Sequence, residues 1–223
     1  MKKMLGLAIS GLLVIGLVAG GTFAYFSDTE QSTANTFTAG TLDLKISNDA
    51  STYTDGVTAT WADANAVPGM TKSGTVTLKN NGATGITADH VEIKFANTVT
   101  NYAGAAAAAA DTGDSDIADI STVMQITALS YGGTSILTAA KTYFDAVVNG
   151  GNNDGILELN ELNGKTFNAT TLGSALAGLA ANGTSAFVMT IAIPTTVTNG
   201  IQGDSVTTVV TFGLFQNATQ HLP

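Results

Sequence analysis

Alternating apolar and polar residues mark most of the strands that this chain is predicted to form. From Ile86 to Ala96 the sequence ITADHVEIKFA places Val91, Ile93 and Phe95 on one face, the period-two pattern of a half-buried strand. The same pattern predicts strands at 41–47, 57–61, 74–79 and 123–130, and two strongly apolar strands, expected to be central, at 186–193 and 205–215. Turn residues at 68–69 and 80–82 separate the early strands. The pattern predicts an all-β fold, a jelly-roll-like antiparallel β-sandwich.

The middle of the chain breaks this alternation. Residues 137–148 and 170–181 carry apolar side chains at helical spacing, which predicts a small helical insertion over about 135–182. Upstream of it, the alanine run at 105–110 is expected to be an exposed loop with one helical turn. The flanking glycines Gly104 and Gly113 limit the length of any helix there. We expect the insertion to lie on one side of the sandwich.

The first 24 residues have the pattern of a secretory signal. Lys2 and Lys3 precede an apolar run of about 16 residues, and small residues at 22 and 24 favour cleavage between Ala24 and Tyr25. A membrane anchor is the alternative, but the run is shorter than the roughly 20 residues that span a bilayer. A type IV pilin leader is disfavoured, because the sequence turns polar at Ser27 instead of continuing as an apolar helix.

A polar arm follows the predicted cleavage site and precedes the folded domain, which is expected to cover residues 37–223. The arm begins with two aromatic residues and is otherwise polar, so it cannot bury enough apolar surface to hold itself in place. It is predicted to act as a donor strand for another copy of the molecule; the alternative is an ordered or disordered edge segment of the same molecule. The predicted donor strand consists of Tyr25, Phe26, Ser27, Asp28, Thr29, Glu30, Gln31, Ser32, Thr33, Ala34, Asn35 and Thr36.

Composition and charge exclude two classes of partner and restrict how the fold is stabilised. The chain carries a net charge of −9 and no arginine, and removal of Lys2 and Lys3 with the leader brings the net charge to about −11. Such a chain does not bind nucleic acid or anionic lipid by charge. It also contains no cysteine, so as an exported protein it must be stable without disulfides.

The segment NGGNNDGILELNEL, residues 149–162, is similar to the second part of an EF-hand or dockerin calcium loop. Gly155 would allow the sharp turn that brings several oxygen ligands together, but Gly150 stands where the first aspartate of such a loop is expected. A plain acidic turn is the alternative. A second and weaker candidate is the aspartate run Asp111, Asp114 and Asp116. The predicted calcium ligands are Asn152, Asp154, Ile156, Glu158 and Glu161.

Catalytic motifs are not found in the sequence. The two histidines, His90 and His221, lie far apart in the chain, and neither belongs to an HExxH zinc motif. No nucleophile-elbow pattern accompanies a serine. His90 is therefore predicted to be a surface residue of its strand, and the chain is predicted to have no catalytic residue and no cofactor other than calcium.

Three triplets match the acceptor pattern for N-glycosylation. In a chain this rich in threonine and asparagine such triplets arise easily, and they matter only where exported proteins are glycosylated. The candidate acceptors are Asn168, Asn182 and Asn217.

Four separated segments carry a resemblance to a known family. They are GGTFAYFSD at the end of the leader, FTAGTLDLKI after the arm, VPGMTKSGTVTLKNNG in the middle, and GDSVTTVVTFGLFQNATQ near the end of the chain. In this order they resemble the TasA and camelysin family of secreted fibre proteins, whereas residues 97–184 are not matched one by one. Archaeal bundling pilins look similar.

This resemblance implies a structural protein. It implies a jelly-roll subunit that leaves the cell after cleavage by a signal peptidase and polymerises head-to-tail with its own copies into extracellular filaments of a biofilm matrix. The N-terminal arm would fill a groove of the neighbouring subunit, and minor fibre-anchoring proteins are further expected partners. Camelysin-like proteins have also been classed as metallopeptidases, which is the alternative function. A calcium-dependent adhesion module is the third hypothesis.

Overall fold

The computed structural model describes residues 41–57, 61, 66–101, 117, 119–201 and 204–223, all within the compact unit Ala39–Pro223. The predicted leader, its cleavage site, the arm Tyr25–Thr36 and the aspartates at 111, 114 and 116 lie outside the described residues. The same holds for the alanine run and for residues 58–60 of the second predicted strand. The predictions for these segments therefore stay predictions.

Antiparallel strands are the main regular secondary structure of the described residues. The strands are β1 Leu44–Ser47, β2 Thr71–Asn80, β3 His90–Thr100, β4 Gln125–Tyr131, β5 Thr134–Ser135, β6 Thr166–Phe167, β7 Leu176–Ala177, β8 Thr184–Ala192 and β9 Ser205–Phe215. Two α-helices, α1 Leu137–Phe144 and α2 Ala169–Leu172, lie between β5 and β7. The prediction of an all-β fold is confirmed.

The strands form two sheets. The first sheet has the order β1-β2-β8-β4-β5, with β8 in its centre between β2 and β4. The second sheet is built around β3, which pairs with β9 from His90↔Phe215 to Thr100↔Ser205. Because Ile93 pairs with both Phe212 of β9 and Phe167 of β6, these two strands lie on opposite edges of β3. The short strand β7 pairs with the start of β3.

The hydrophobic core lies between the two sheets. On β3, Val91, Ile93 and Phe95 have no exposed surface, as the period-two pattern predicted. The Phe95 ring lies 6.3 Å from the ring of Phe187 on β8, which in turn lies 5.7 Å from Phe212 on β9. These ring contacts join the two sheets and make the fold a sandwich.

The second predicted helix is wrong beyond its first turn. Asn168 caps the N-terminus of helix α2, and its side chain accepts hydrogen bonds from the N–H groups of Thr170 and Thr171. It ends at Gly173, which has a left-handed conformation with φ of 71°. Leu176 then enters strand β7, so the apolar residues of 170–181 that suggested helical spacing are shared between a helix and a strand.

Asn80-Asn81-Gly82 does not close a hairpin between consecutive strands. Strand β2 ends at Asn80 in the first sheet, whereas β3 belongs to the second. The buried Asn80 side chain donates to the carbonyls of Ile86 and Leu179, at 2.9 and 3.0 Å. These bonds fix the crossing of the chain from one sheet to the other.

Candidate functional site

Within the part of the chain that the structure describes, strand β9 lies at an edge of the second sheet, and not at its centre as predicted. Among the described residues it pairs with β3 alone, so the backbone groups along its other side have no strand partner there. The strand has eleven residues, SVTTVVTFGLF, with no charged residue and no proline. Long edges of this kind are normally shortened, charged or covered, because they pair readily with other chains.

The inward face of β9 is apolar but incompletely covered. Val210, Phe212 and Leu214 stand opposite the fully buried Phe95, Ile93 and Val91 in the register of the pair. In contrast to these partners, they are only partly buried, although they pack against the core. One further strand beside β9 would complete their burial, and this site is the candidate for subunit assembly.

The predicted calcium loop is held by two buried carboxylates. Asp145, which follows α1, accepts hydrogen bonds from the N–H groups of Asp154 at 3.1 Å and Gly155 at 2.9 Å. Glu161 accepts from the N–H groups of Asn152 at 3.1 Å and Glu158 at 3.0 Å. Asp145 was not among the predicted site residues, because it lies before the motif in the chain.

Glu158 is the unusual member of this acidic loop. It is 5% exposed, and it forms an isolated bridge with Gln125 of β4. Burial is the main cause that raises its pKa to about 7, and the nearby carboxylates of Glu161, Asp154 and Asp145 raise it further. A carboxyl group with this pKa changes between its neutral and its charged form near neutral pH.

The loop brings together part of the predicted ligand set. Asn152 and Asp154 contact each other at the surface, where the Asn152 amide donates to Asp154 Oδ2 at 3.2 Å. Asp154 Oδ1 accepts from the N–H of Ile156 at 2.8 Å, which closes the turn. Glu158 and Glu161 lie buried behind this turn. The prediction of calcium at these residues stays a prediction.

A second cluster was missed in the sequence. His90 and Glu92 lie on the outer face of β3, and His221 reaches them from the C-terminal segment, residues 216–223. Their ligand atoms all lie within 4.8 Å of one another. Glu92 Oε1 is 2.7 Å from His221 Nδ1 and 3.9 Å from His90 Nε2.

The C-terminal segment covers this part of β3, and the prediction that His90 is a surface residue is wrong. His90 is 5% and Glu92 1% exposed, although both point away from the core. The N–H of Leu222 donates to Glu92 Oε2 at 2.8 Å, and the Lys94 ammonium donates to the carbonyl of Pro223. The ring of Phe215 stacks on His90 at 5.1 Å. The C-terminal segment, which is distant in sequence, therefore buries the side chains of His90 and Glu92.

A family model described as camelysin metallo-endopeptidase matches residues 1–220. The chain belongs to the camelysin family. The resemblance found in the sequence is thereby confirmed, and the match includes the middle of the chain, which the sequence segments did not cover. In the comparison with curated proteins, no sequence matches this camelysin family member.

The description of the camelysin family as metallo-endopeptidase implies a metal ion, and among the described residues His90, Glu92 and His221 form one group that could hold such an ion. The signal in the sequence was faint: HVE places an imidazole and a carboxylate two residues apart on one strand face, but the third group comes from the other end of the chain. Among the described residues, no helix of this camelysin family member is long and apolar enough to cross a membrane.

The three candidate glycosylation sites have different surroundings. Asn182 and Asn217 are exposed. Asn168 is partly buried, and its side-chain oxygen caps helix α2. A glycan is therefore more easily accommodated at the first two positions, and all three stay predictions.

Proposed function

We propose that this chain is a secreted structural subunit that polymerises into extracellular filaments by strand donation between copies. The observation that carries this proposal is the edge of β9, an uncharged eleven-residue strand whose apolar face is only partly buried. A strand from another copy would pair with its backbone and fill the space beside Val210 and Phe212.

The predicted arm is a suitable occupant. Tyr25–Thr36 has twelve residues, which span about 40 Å as a strand, whereas the eleven residues of β9 span about 36 Å. Its aromatic pair can supply apolar area, and backbone hydrogen bonds along the edge would supply the rest of the affinity. Cleavage after Ala24 would free the arm only on export, so that assembly is coupled to secretion.

Donation from one copy to the next gives a contact that does not close on itself. The donor arm and the β9 edge are different surfaces, so each copy can receive one arm while it donates its own. A head-to-tail contact of this kind propagates into a filament.

Arm deletion tests this function. The chain from Tyr25 and a chain from Phe37 are compared by sedimentation and electron microscopy, with circular dichroism as the control for folding. We expect filaments from the first chain and folded monomers from the second. A synthetic peptide of residues 25–36, but not its scrambled version, should bind the shorter chain. Filaments from the chain that lacks the arm would refute the proposal.

A metallo-endopeptidase is the second candidate function, favoured by the family description and by the meeting of His90, Glu92 and His221. Two imidazoles and a carboxylate are a ligand set of metallopeptidases. The burial of Glu92 and His90 beneath the C-terminal segment weighs against it, because a peptide substrate could not approach them there. Casein cleavage by the filament-free protein, abolished by a chelator and by His221→Ala, would favour this function over the first.

A further inference from the structure

One ring nitrogen of His90 has a hydrogen-bonding contact and the other has none within the described part of the chain. Its Nδ1 lies 3.1 Å from Asp89 Oδ2, and since an ionised carboxylate only accepts, this contact places the proton on Nδ1. The lone pair of Nε2 then points toward Glu92 and His221. This atom is buried and has no hydrogen-bond partner among the described residues. A buried acceptor without a partner is costly, so it needs an explanation.

We propose that His90, Glu92 and His221 bind a zinc-class divalent metal ion that fastens the C-terminal segment to β3. Two imidazoles and one carboxylate suit zinc and similar transition metals, whereas calcium takes oxygen ligands. The arrangement of Asp89 behind His90 is also typical of metal sites, in which a carboxylate orients the ligating imidazole.

The distances fit one ion after small adjustments. Ligand atoms at 2.0 to 2.1 Å from a tetrahedral ion are about 3.3 Å apart. The observed separations from Glu92 Oε1 are 2.7 Å to His221 Nδ1 and 3.9 Å to His90 Nε2. Shifts of about 0.6 Å bring both to this value. The ligand nitrogens of the two histidines, which lie within 4.8 Å of each other, must also approach to about this distance. His221 can adjust, because its side chain is 56% exposed.

The ion would act as a cross-link between distant parts of the chain. His90 and Glu92 belong to β3, and His221 follows Glu92 by 129 residues. The segment between Phe215 and His221 leads directly from β9, so the ion would hold the end of the edge strand as well. This inference does not depend on the proposed filament, since all three ligands belong to one chain.

Metal binding is measured on the full chain, purified without a polyhistidine tag and stripped with EDTA. Titration calorimetry with Zn²⁺ should give one site per chain for the wild type and an affinity at least about 10-fold lower for His221→Ala. Asp154→Asn, in the acidic loop, is the matched control and should bind Zn²⁺ as the wild type does. Absence of saturable Zn²⁺ binding, or equal binding by His221→Ala, would overturn the proposal.

Hydrogen exchange gives a readout of the cross-link itself. Zn²⁺ should slow exchange of the Leu222 amide in the wild type and leave it unchanged in His221→Ala, whose altered side chain is exposed and not needed for the core. Glu92→Gln provides the same comparison where it folds. If Zn²⁺ binds without slowing exchange in the C-terminal segment, the ion is held elsewhere and the proposed site is wrong.

Discussion

Glu92 Oε1 lies 2.7 Å from His221 Nδ1, although 129 residues separate them in the chain. The other oxygen of Glu92 accepts a hydrogen bond from the N–H of Leu222, so the C-terminal segment contacts both oxygens of this carboxylate. Glu92 is 1% exposed. A buried carboxylate must be hydrogen-bonded to be tolerated. The C-terminal segment is therefore part of the folded sandwich and not a loose end.

Replacement of His221 tests this role. In metal-free protein, His221→Ala removes one donor from buried Glu92 and should lower the free energy of unfolding by about 1–3 kcal/mol. His221→Asn keeps a donor at nearly the position of Nδ1 and should recover part of the loss. Urea unfolding in EDTA provides the measurement. Equal stability of His221→Ala and the wild type would show that the contact contributes nothing to the fold.

The raised pKa of Glu158 predicts a pH dependence with a definite sign. Its pKa rises from 4.5 in the unfolded chain to about 7 in the fold, so the folded state favours the protonated form. Below pH 4.5 Glu158 is protonated in both states, so its burial costs no ionisation free energy. As the pH rises from 4.5 through 7, the unfolded state ionises first and the free energy of unfolding falls. Glu158→Gln should therefore gain stability over the wild type at pH 8, on the order of 1–3 kcal/mol, and little at pH 4.

Denaturant unfolding at several pH values measures this difference. The control is Asp154→Asn, which alters an exposed carboxylate of the same loop and should follow the pH dependence of the wild type more closely. A Glu158→Gln variant whose stability relative to the wild type is independent of pH would contradict the raised pKa.

Calcium binding at the predicted loop can be tested separately by its effect on stability. If the ionised carboxylates of 154, 158 and 161 bind calcium, then Ca²⁺ at pH 8 should raise the melting temperature of the wild type, because a ligand that binds only the folded state stabilises it. Asp154→Asn should show a smaller rise. A melting temperature that is the same in Ca²⁺ and EDTA would contradict calcium binding at this loop.

Replacement of Phe95 tests the packing between the two sheets. Its ring is fully buried and lies 4.9 Å from Phe167 and 6.3 Å from Phe187. Phe95→Ala should cost about 3–5 kcal/mol in the free energy of unfolding, since it leaves a cavity in the core. Val148→Ala, at a side chain that is 90% exposed, should change it by less than about 0.5 kcal/mol. Comparable effects of the two variants in urea unfolding would contradict the placement of the core.

Local alternation was enough to predict the strands that cross the core. The predicted inward residues of β3 are all buried, and the bounds of β9 agree with the prediction at both ends. Alternation reports which face of a strand is apolar, and that property is set by neighbouring residues. It does not report which strand lies beside it, so the edge position of β9 could not be predicted in this way.

The candidate site was harder to predict, because its groups come from distant parts of the chain. His90 was predicted to be a surface residue, but a segment more than a hundred residues away in the chain buries it. Asp145 joins the acidic loop from the end of helix α1. The cluster at His90 forms only when a remote segment packs on β3, whereas Asp145 lies nine residues before Asp154 and was missed because it precedes the motif.

The measurement that tests strand donation most directly is disulfide cross-linking between copies, since the chain has no cysteine of its own. One chain carries a single cysteine in the arm, at Thr29 or Thr33, and another carries one in β9, at Thr207 or Thr211. When the two chains are mixed, assembled and oxidised, strand donation predicts disulfide-linked pairs that contain one chain of each kind. Cross-links that form within a double-cysteine chain, but not between the two single-cysteine chains, would show that each molecule completes its own sheet.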